Sequence, residues 1–372
     1  MKEHSYGDLC IIGMRGCEDF VAQVDSYIQE SRRHDGEGTY IAEAYCPRFG
    51  SGEGKGMIRD SMRSRDVYII SDVFNHGVTY EMYGKTVPMS PDDHFQDLKR
   101  IIGAIGGKAK RITVVMPMLY EGRQHKRSSR ESLDCAMALQ ELHNMGVTSF
   151  ITFDVHDPRV QNAIPLCSFD NFCSTYQMIK ALVHEYPDVE FDKEKIMVVS
   201  PDEGAMARCM YYSSMLSIEL GMFYKRRNYS IIVNGKNPIE AHEYLGRDPK
   251  GMDVIVVDDM ISSGESMIDV ARQLKARGAK RIFIFTAFGL FCNGLELMDQ
   301  AYAEGLFTRI MTTNLVYRTP ELLSREWYGE VNMCKYVAYI IDTLNHDQSV
   351  SGLLDQSKRI HKLLAEHGKL VK

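Results

Sequence analysis

One segment, residues 254–271, constrains the fold of this chain more than any other. It opens with four consecutive apolar residues, continues through Asp258 and Asp259, and reaches a Ser-Ser-Gly sequence before a helical pattern begins. A short, wholly apolar run is typical of a buried parallel strand. The backbone N–H groups of a small-residue turn and of the helix that follows can hold a phosphate. The segment therefore predicts an α/β fold with an anion site. A strand that ends in solvated aspartates before an N-capped helix is the alternative.

Short apolar segments alternate with longer amphipathic segments along the chain. The spacing predicts helices over residues 132–145 and 266–277, each with apolar residues three and four apart and a glycine just beyond its end. This order is typical of strand–helix–strand units with mainly parallel sheets. We therefore predict two α/β domains, residues 1–165 and 166–337. The predicted strands are residues 9–12, 67–70, 112–116, 150–153, 195–199, 222–225, 254–257 and 282–287.

Three other segments have the composition of loops. Residues 49–56 are rich in glycine, residues 75–95 contain Pro88 and Pro91, and residues 229–249 are mainly polar. A connection as long as residues 229–249 within a compact domain is often functional.

Composition excludes several classes of protein. A chain of 372 residues that is 44% hydrophobic is long enough for two domains. Its net charge of -6 gives no electrostatic reason to expect nucleic acid or an anionic membrane as a partner. The nine cysteines contain no Cys-x-x-Cys pair, so neither a zinc module nor a disulfide framework is indicated. There is no signal-peptide core and no apolar run of about 20 residues, so we expect a soluble, cytoplasmic protein that acts on small molecules.

Further motifs occur along the chain in a consistent order and context. They are Phe49-Gly50-Ser51-Gly52-Glu53, Ser61-Met62-Arg63, Arg123-Gln124-His125-Lys126, Asp154-Val155-His156, Ser200-Pro201-Asp202, Tyr224-Lys225-Arg226-Arg227 and Ser349-Val350-Ser351-Gly352. Together with the Asp-Asp segment, they make the chain resemble the ribose-phosphate diphosphokinases, also called phosphoribosyl diphosphate synthetases. Only residues 355–372 and an expansion around residues 75–95 lie outside this resemblance.

The resemblance implies a reaction. The β,γ-diphosphoryl group of ATP would pass to the anomeric hydroxyl of ribose 5-phosphate, giving phosphoribosyl diphosphate and AMP for nucleotide biosynthesis. Lys225 and Arg227 match the catalytic Lys-x-Arg of the family. Two positions apart in an extended segment, they would project to the same side, and the arginine fork can hold two phosphate oxygens. A solvated basic cluster at the end of a strand is the alternative.

The resemblance also assigns the nucleotide site. Arg123 would contact the phosphates of ATP and Gln124 the nucleotide, while Phe49, Ser51 and Glu53 would form its adenine and ribose edge. In this family that loop comes from a neighbouring subunit, which implies a homo-oligomer, expected to be a hexamer. Taken alone, the two segments could be a glycine turn and a basic surface loop.

Magnesium is the implied cofactor, at His156 and Asp202. Asp202 suits this role because Mg²⁺ prefers oxygen ligands and keeps much of its water. His156 is a less natural ligand, and contacts with phosphate or with a metal-bound water remain open for it. A structural histidine paired with Asp154 or Asp157 is a further alternative.

The ribose 5-phosphate loop departs from the family pattern. Ser262 replaces an aspartate and Glu265 a glycine, so a carboxylate could repel the phosphate and a backbone suited to glycine could be strained. Acidic residues are nevertheless favourable at a helix start. Elsewhere, His125 stands where the family has aspartate, and Asp157 where it has alanine or serine. The residues expected to bind ribose 5-phosphate are Asp258, Asp259, Ser262, Ser263, Gly264 and Ser266.

The resulting expectation is an active enzyme of two phosphoribosyltransferase-like α/β domains. Its active site would lie in the cleft between them, with residues 338–372 packed back on the first domain. A catalytically silent regulatory paralogue of the synthetase is the main alternative, and the presence of Lys225, Arg227, Arg123 and Gln124 argues against it. A type I phosphoribosyltransferase would share the Asp-Asp loop but would not need the nucleotide elements.

Overall fold

The computed structural model of the chain describes residues 5–32, 38–227 and 239–368; the side chains of residues 225–227 and 239–242 lie outside that description. The chain divides into two compact units. The N-terminal unit consists of Met1–Ser174, Asn314–Thr319 and Asn332–Asp355, and the C-terminal unit of Thr175–Thr313, Pro320–Val331 and Gln356–Lys372.

The strands of the N-terminal unit form one main sheet and two small ribbons. The main sheet has the order β1-β4-β7-β8-β9, and every pairing in it is parallel. The pairs β2–β3 and β5–β6 are antiparallel ribbons. The bounds are β1 Asp8–Gly13, β2 Ala44–Tyr45, β3 Met57–Ile58, β4 Arg65–Ile70, β5 Thr79–Met82, β6 Lys85–Pro88, β7 Arg111–Val115, β8 Ser149–Phe153 and β9 Ser168–Phe172.

The C-terminal unit contains a seven-stranded sheet of order β12-β11-β10-β13-β14-β15-β16. All its pairings are parallel except that of β11 with β12. The bounds are β10 Ile196–Ser200, β11 Glu219–Arg227, β12 Ile239–Leu245, β13 Asp253–Ile261, β14 Ile282–Gly289, β15 Arg309–Thr313 and β16 Tyr328–Val331.

Helices connect the strands in both units. Apolar residues on one side of each long helix are buried, as in α2, where Leu98, Ile101 and Ile105 pack into the core. The helices are α1 Glu18–Ser31, α2 Pro91–Ile105, α3 Asp134–Asn144, α4 Thr175–Glu185, α5 Met206–Leu216, α6 Glu265–Ala276, α7 Glu296–Ala303, α8 Pro320–Leu323, α9 Cys334–Asn345, α10 Ser351–Leu354 and α11 Ser357–Glu366, with a 3-10 helix at Pro158–Ala163. No helix in the described ranges is both long and apolar enough to cross a bilayer.

The predicted fold class is confirmed: both units are α/β with mainly parallel sheets. The eight predicted strands and both predicted helices correspond to elements of the structure. The edge strand β9 was missed because its polar sequence, Ser-Phe-Asp-Asn-Phe, lacks an apolar run. Since β9 pairs with β8, the N-terminal unit continues to Ser174, beyond the expected boundary at residue 165.

The C-terminal segment divides between the units, unlike the expected packing of residues 338–372 on the first domain alone. Asn332–Asp355, with α9 and α10, belongs to the N-terminal unit. The helix α11 instead contacts α4 and α5 of the C-terminal unit and buries Ile360, Leu363 and Leu364. The side-chain oxygen Oε1 of Gln356 accepts a hydrogen bond of 2.8 Å from the N–H of Tyr176 and fixes this arrangement.

Two predicted loops contain regular structure. The expansion at residues 75–95 includes the hairpin β5–β6 and the first turn of α2. Its prolines are compatible with this because Pro88 ends a strand of a two-stranded ribbon and Pro91 is the first residue of a helix. Within the predicted loop 229–249, residues 239–245 form β12, and residues 229–238 lie outside the described residues.

A buried carboxylate ties α9 to the sheet of the N-terminal unit. The side chain of Asp66 is fully buried, and Arg111 donates two hydrogen bonds to it, of 2.7 and 2.6 Å. Asn345 of α9 donates another of 2.9 Å, and the Tyr68 hydroxyl one of 3.2 Å. The carboxylate therefore has partners for both of its oxygens.

We expect Asp66→Ala to lower the free energy of unfolding of the N-terminal unit by about 3–5 kcal/mol, because it leaves the guanidinium of Arg111, which is only 16% exposed, without its carboxylate partner. The exposed pair Arg59–Glu43, with side chains 67% and 65% exposed, provides the control. Glu43→Ala should change stability by less than about 1 kcal/mol. Urea unfolding followed by circular dichroism measures both, and equal effects would contradict the structural role of Asp66.

Candidate active site

The two aspartates of the C-terminal unit lie inside a strand. The pairing of β13 with β14 continues beyond the predicted strand end at residue 257, through Asp258 opposite Thr286 to Ile261 opposite Gly289. The side chain of Asp258 is 23% exposed, whereas Asp259 is buried.

The environment of Asp258 favours its protonated form. Its Oδ1 atom accepts the N–H of Asp259 at 2.8 Å and lies 3.7 Å from Nη1 of Arg208. Burial and then the neighbouring charge of Asp259 raise the pKa of Asp258, and Arg208 opposes them. A shifted carboxyl pKa of this kind is common where side chains are arranged to meet a ligand.

The loop after β13 is held by the segment that follows β14. The carbonyl of Ile261 accepts the N–H of Leu290 at 2.9 Å, and the carbonyl of Ser262 accepts the N–H of Cys292 at 2.8 Å. Ser262 and Ser263 are half-buried. These bonds fix the serine loop directly ahead of α6.

Gly264 makes the turn from this loop into α6. Its φ of +87° lies in the left-handed region, and a Cβ atom there would lie 1.8 Å from Cε of Met298 in α7. The backbone therefore requires a glycine at position 264, and the sequence has one there. Glu265 is the first residue of α6, has a helical backbone and is exposed together with Ser266, so the backbone strain expected for Glu265 does not arise.

Asp202 forms the turn between β10 and α5. Its Oδ1 atom accepts the N–H groups of Gly204 and Ala205 at 3.0 and 3.3 Å, and Ser200 Oγ donates to its backbone carbonyl at 2.7 Å. The strand β10 is the parallel neighbour of β13, so Asp202, just after the end of β10, lies alongside the part of β13 that contains Asp258.

Arg208 is a site residue that the sequence did not reveal. It lies on α5, where a single arginine belongs to no recognisable motif, and only the fold brings its guanidinium to Asp258.

Lys225 and Arg227 lie at the end of β11, the neighbour of β10 on its other side. Their backbones pair with His242 and Ile239 of β12, with an irregular register between Arg226 and Arg227. The side chains of both residues lie outside the described part of the structure, so their catalytic roles stay predictions.

Residues 49–53 of the N-terminal unit form a compact turn, called here the nucleotide loop. Phe49 donates its N–H to the carbonyl of Glu53 at 2.7 Å, and Gly52 donates to that of Phe49 at 2.9 Å. Ser51 Oγ donates to the Glu53 carboxylate at 2.7 Å. The loop brings the three predicted residues together and leaves the Phe49 ring 57% exposed.

Arg123 and Gln124 lie in the loop that follows β7. Arg123 is exposed. Gln124 donates its backbone N–H to Glu121 at 2.8 Å and its side-chain amide to the carbonyl of Ser132 at 2.9 Å. The amide of Gln124 thus closes its own loop, which presents Arg123 at the surface.

His156 is exposed after β8, and its ring centroid lies 5.4 Å from that of His125. Nε2 of His125 lies 3.3 Å from Oδ2 of Asp157. Arg159 holds the pKa of the Asp157 carboxyl well below its usual range, chiefly by side-chain hydrogen bonds, so Asp157 is ionised. Within the described ranges, no group of three or more His, Cys, Asp or Glu side chains could hold a metal ion.

Comparison with known protein families assigns both units. Residues 9–146 match the N-terminal domain of ribose phosphate pyrophosphokinase, and residues 175–324 match the phosphoribosyl transferase domain. The chain belongs to the ribose-phosphate pyrophosphokinase family. The resemblance inferred from its motifs is thereby confirmed.

Members of this family from several organisms are similar to more than half of the chain. A ribose-phosphate pyrophosphokinase A of Dictyostelium discoideum is 25% identical over 320 residues, which cover 86% of this chain and 92% of that protein. A ribose-phosphate pyrophosphokinase of Vibrio cholerae is 24% identical over 319 residues, 85% and 92% of the two chains. One from Ureaplasma parvum is 29% identical over 214 residues, 57% of this chain and 61% of that protein.

The fold is also that of a solved structure. The crystal structure of phosphoribosylpyrophosphate synthetase from Mycobacterium smegmatis superposes with a TM-score of 0.73 at 20% identity, covering 91% of this chain and 99% of that one. This similarity confirms the two-unit α/β fold.

The raised pKa of Asp258 predicts a pH-dependent stability. A carboxyl whose pKa is higher in the folded protein than in the unfolded chain keeps a proton that the unfolded chain has lost, so stability falls as the pH rises above about 4. Asp258→Asn removes this loss. Urea midpoints measured against pH should show the variant gaining on the wild type towards alkaline pH, by on the order of 1 kcal/mol.

Glu265→Gln, which removes a charge from an exposed position of the same segment, is the control and should show no such gain. A parallel pH dependence for wild type and Asp258→Asn would contradict the assignment.

Proposed function

We propose that this protein is an active ribose-phosphate pyrophosphokinase, which transfers the diphosphoryl group of ATP to ribose 5-phosphate and yields phosphoribosyl diphosphate and AMP. The observation that carries this proposal is the segment from Asp258 to Ser266, where paired carboxylates precede a serine loop and an exposed helix start. Its departures from the family pattern leave the required glycine at position 264 in place.

The phosphate and the ribose of ribose 5-phosphate would each have a binding position in this segment. The N-terminus of α6, where no side chain of the described residues caps the helix, and the hydroxyls of Ser262, Ser263 and Ser266 would hold the 5-phosphate. The carboxyl groups of Asp258 and Asp259 would bind the ribose hydroxyls. Ser262 removes the carboxylate that the family has in the loop, and Glu265 adds one at the exposed first position of α6, where an acidic side chain is favourable.

ATP would be bound by the N-terminal elements. The exposed ring of Phe49 would offer a face to the adenine base. Ser51 and Glu53 would form the polar edge of the nucleotide site. The charge of Arg123 would attract the phosphates. Gln124 would contribute its remaining amide oxygen. By resemblance, this loop serves a neighbouring subunit, so we propose a homo-oligomer.

The transferred group gains negative charge on its oxygens as the anomeric hydroxyl attacks the β-phosphorus and the bond to the AMP oxygen breaks. Lys225 and Arg227 would stabilise that charge by position rather than by covalent chemistry. Asp202 and His156 would contribute to holding Mg²⁺, which when bound neutralises phosphate charge. A site with few protein ligands suits Mg²⁺, because this ion keeps several waters and binds substrate phosphates.

The deciding experiment measures AMP formation by the purified full chain from ATP and ribose 5-phosphate, with and without Mg²⁺. We expect turnover that requires both substrates and the metal. Lys225→Ala should lower kcat by about 10²–10³ because one stabilising cation is removed from the transferring group. Arg226→Ala, which removes the same charge between the two predicted catalytic positions, is the control and should keep most of the activity.

Binding of ATP without any AMP formation by the wild type would overturn this proposal. It would favour the catalytically silent regulatory paralogue, with Ser262 and Glu265 as the responsible departures.

The two ends of α6 provide a matched test of the phosphate site. Gly264 and Gly278 have φ values of +87° and +85°, so an alanine at either position carries a similar backbone strain of about 1–2 kcal/mol. Only Gly264→Ala also displaces the helix start that would hold the phosphate. We expect it to raise the KM for ribose 5-phosphate at least about tenfold, a loss of roughly 1.4 kcal/mol of binding. Equal KM values for the two variants would show that the phosphate binds elsewhere.

A further inference from the structure

The hairpin β5–β6 packs against the nucleotide loop. At its tip, Tyr83 donates its backbone N–H to the carbonyl of Gly50 at 2.9 Å. Gly52, with a φ of +91°, approaches the hairpin so closely that a Cβ atom there would lie 2.8 Å from Sδ of Met82. The hairpin therefore contacts the loop through both its backbone and a side chain.

Arg48, at the base of the loop, depends on the same hairpin. Its side chain is 7% exposed and binds Oδ1 of Asp97 at 2.5 Å, and its backbone pairs with Gly54 across the loop. Its Nε and Nη2 atoms are buried and have no hydrogen-bond acceptor among the described residues. The guanidinium carbon lies 4.9 Å from the centre of the Tyr80 ring, so the aromatic face compensates for the missing acceptors.

The hairpin is itself fixed to α2. The hydroxyl of Tyr80 donates to Asp93 at 3.3 Å, and Asp93 forms the capping box of α2 with Ser90. The two-residue turn at Tyr83 and Gly84 has positive φ at both positions, which is the tight hairpin turn whose twist matches its strands. The tip thus has one defined position relative to the loop.

We propose that the β5–β6 hairpin is a positioning element for ATP binding, which holds the nucleotide loop in its binding conformation. Met82 and the Tyr83 N–H fix the turn itself, and Tyr80 fixes Arg48 beneath it. The hairpin lies in the expansion at residues 75–95, outside the resemblance to the family, so this support belongs to this chain's own sequence. A loop held in advance loses less conformational entropy when it binds. This inference rests on the proposed ATP-binding role of the loop.

The test compares the double variant Tyr80→Leu/Met82→Ala with the control Thr86→Ala. Thr86 lies on the same hairpin and is exposed, and its hydroxyl bonds to Glu81 of β5 and to no other side chain of the described residues. The double variant should raise the KM for ATP by about tenfold. Its kcat and its KM for ribose 5-phosphate should stay within about twofold of the wild type. The variant loses only binding energy for ATP that is equal in the ground state and the transition state.

A second readout does not depend on activity. Hydrogen exchange of the loop amides, which include the donors Phe49 and Gly52, should be at least about tenfold faster in the double variant than in wild type and Thr86→Ala. If the wild type shows no turnover, the proposed function fails and exchange still decides the role of the hairpin. Unchanged loop exchange, or an equal rise of both KM values, would overturn the positioning role.

Tyr83→Asn separates the backbone of the tip from its ring. Asparagine tolerates a positive φ and keeps the N–H that bonds to Gly50. We expect the ATP KM of this variant to match that of the wild type. A tenfold rise with unchanged loop exchange would overturn the inference, because it would place the 79% exposed ring in contact with the nucleotide instead.

Discussion

The parallel pairing of β13 with β10 on one side and β14 on the other determines where the charged groups of the C-terminal unit lie. It places the turn at Asp202 and the aspartates of β13 on neighbouring strands. It also brings Arg208 of α5 to within 3.7 Å of Asp258. Because the strands are buried on both faces, their register cannot shift without exposing apolar residues. The site chemistry therefore depends on the apolar core as much as on the polar residues.

The fold class and the strand, loop and helix around Gly264 could be predicted from sequence because their signals are local. An apolar strand, a Ser-Ser-Gly turn and a helical pattern stand next to one another around Gly264, and the structure realises them in that order. Contacts between distant segments left no such signal. Arg208 reaches Asp258 only through the fold, and β9 is a polar edge strand without an apolar run. The tip of β5–β6 uses Tyr-Gly where Asn-Gly is the usual turn, so the hairpin was mistaken for a loop.

The two aspartates at 258 and 259 show why neighbouring residues of one motif need separate explanations. Asp258 is partly exposed beside Arg208, whereas Asp259 is buried and its charge raises the pKa of Asp258. Two like charges this close resist simultaneous ionisation. Protonation of Asp258 relieves this repulsion, and the charge of Arg208 opposes that protonation.

Two departures from the family pattern near His156 lie in contact with each other. The family has an acidic residue where this chain has His125, and a small residue where this chain has Asp157. These two side chains lie 3.3 Å apart, and Arg159 keeps Asp157 ionised. In this chain the carboxylate of the contact belongs to the turn after β8 and the histidine to the loop after β7. The family pattern has the acidic residue in the loop after β7. An ionised carboxylate and a second imidazole therefore lie beside the exposed His156, and it is the fold that brings these groups from two separate loops together.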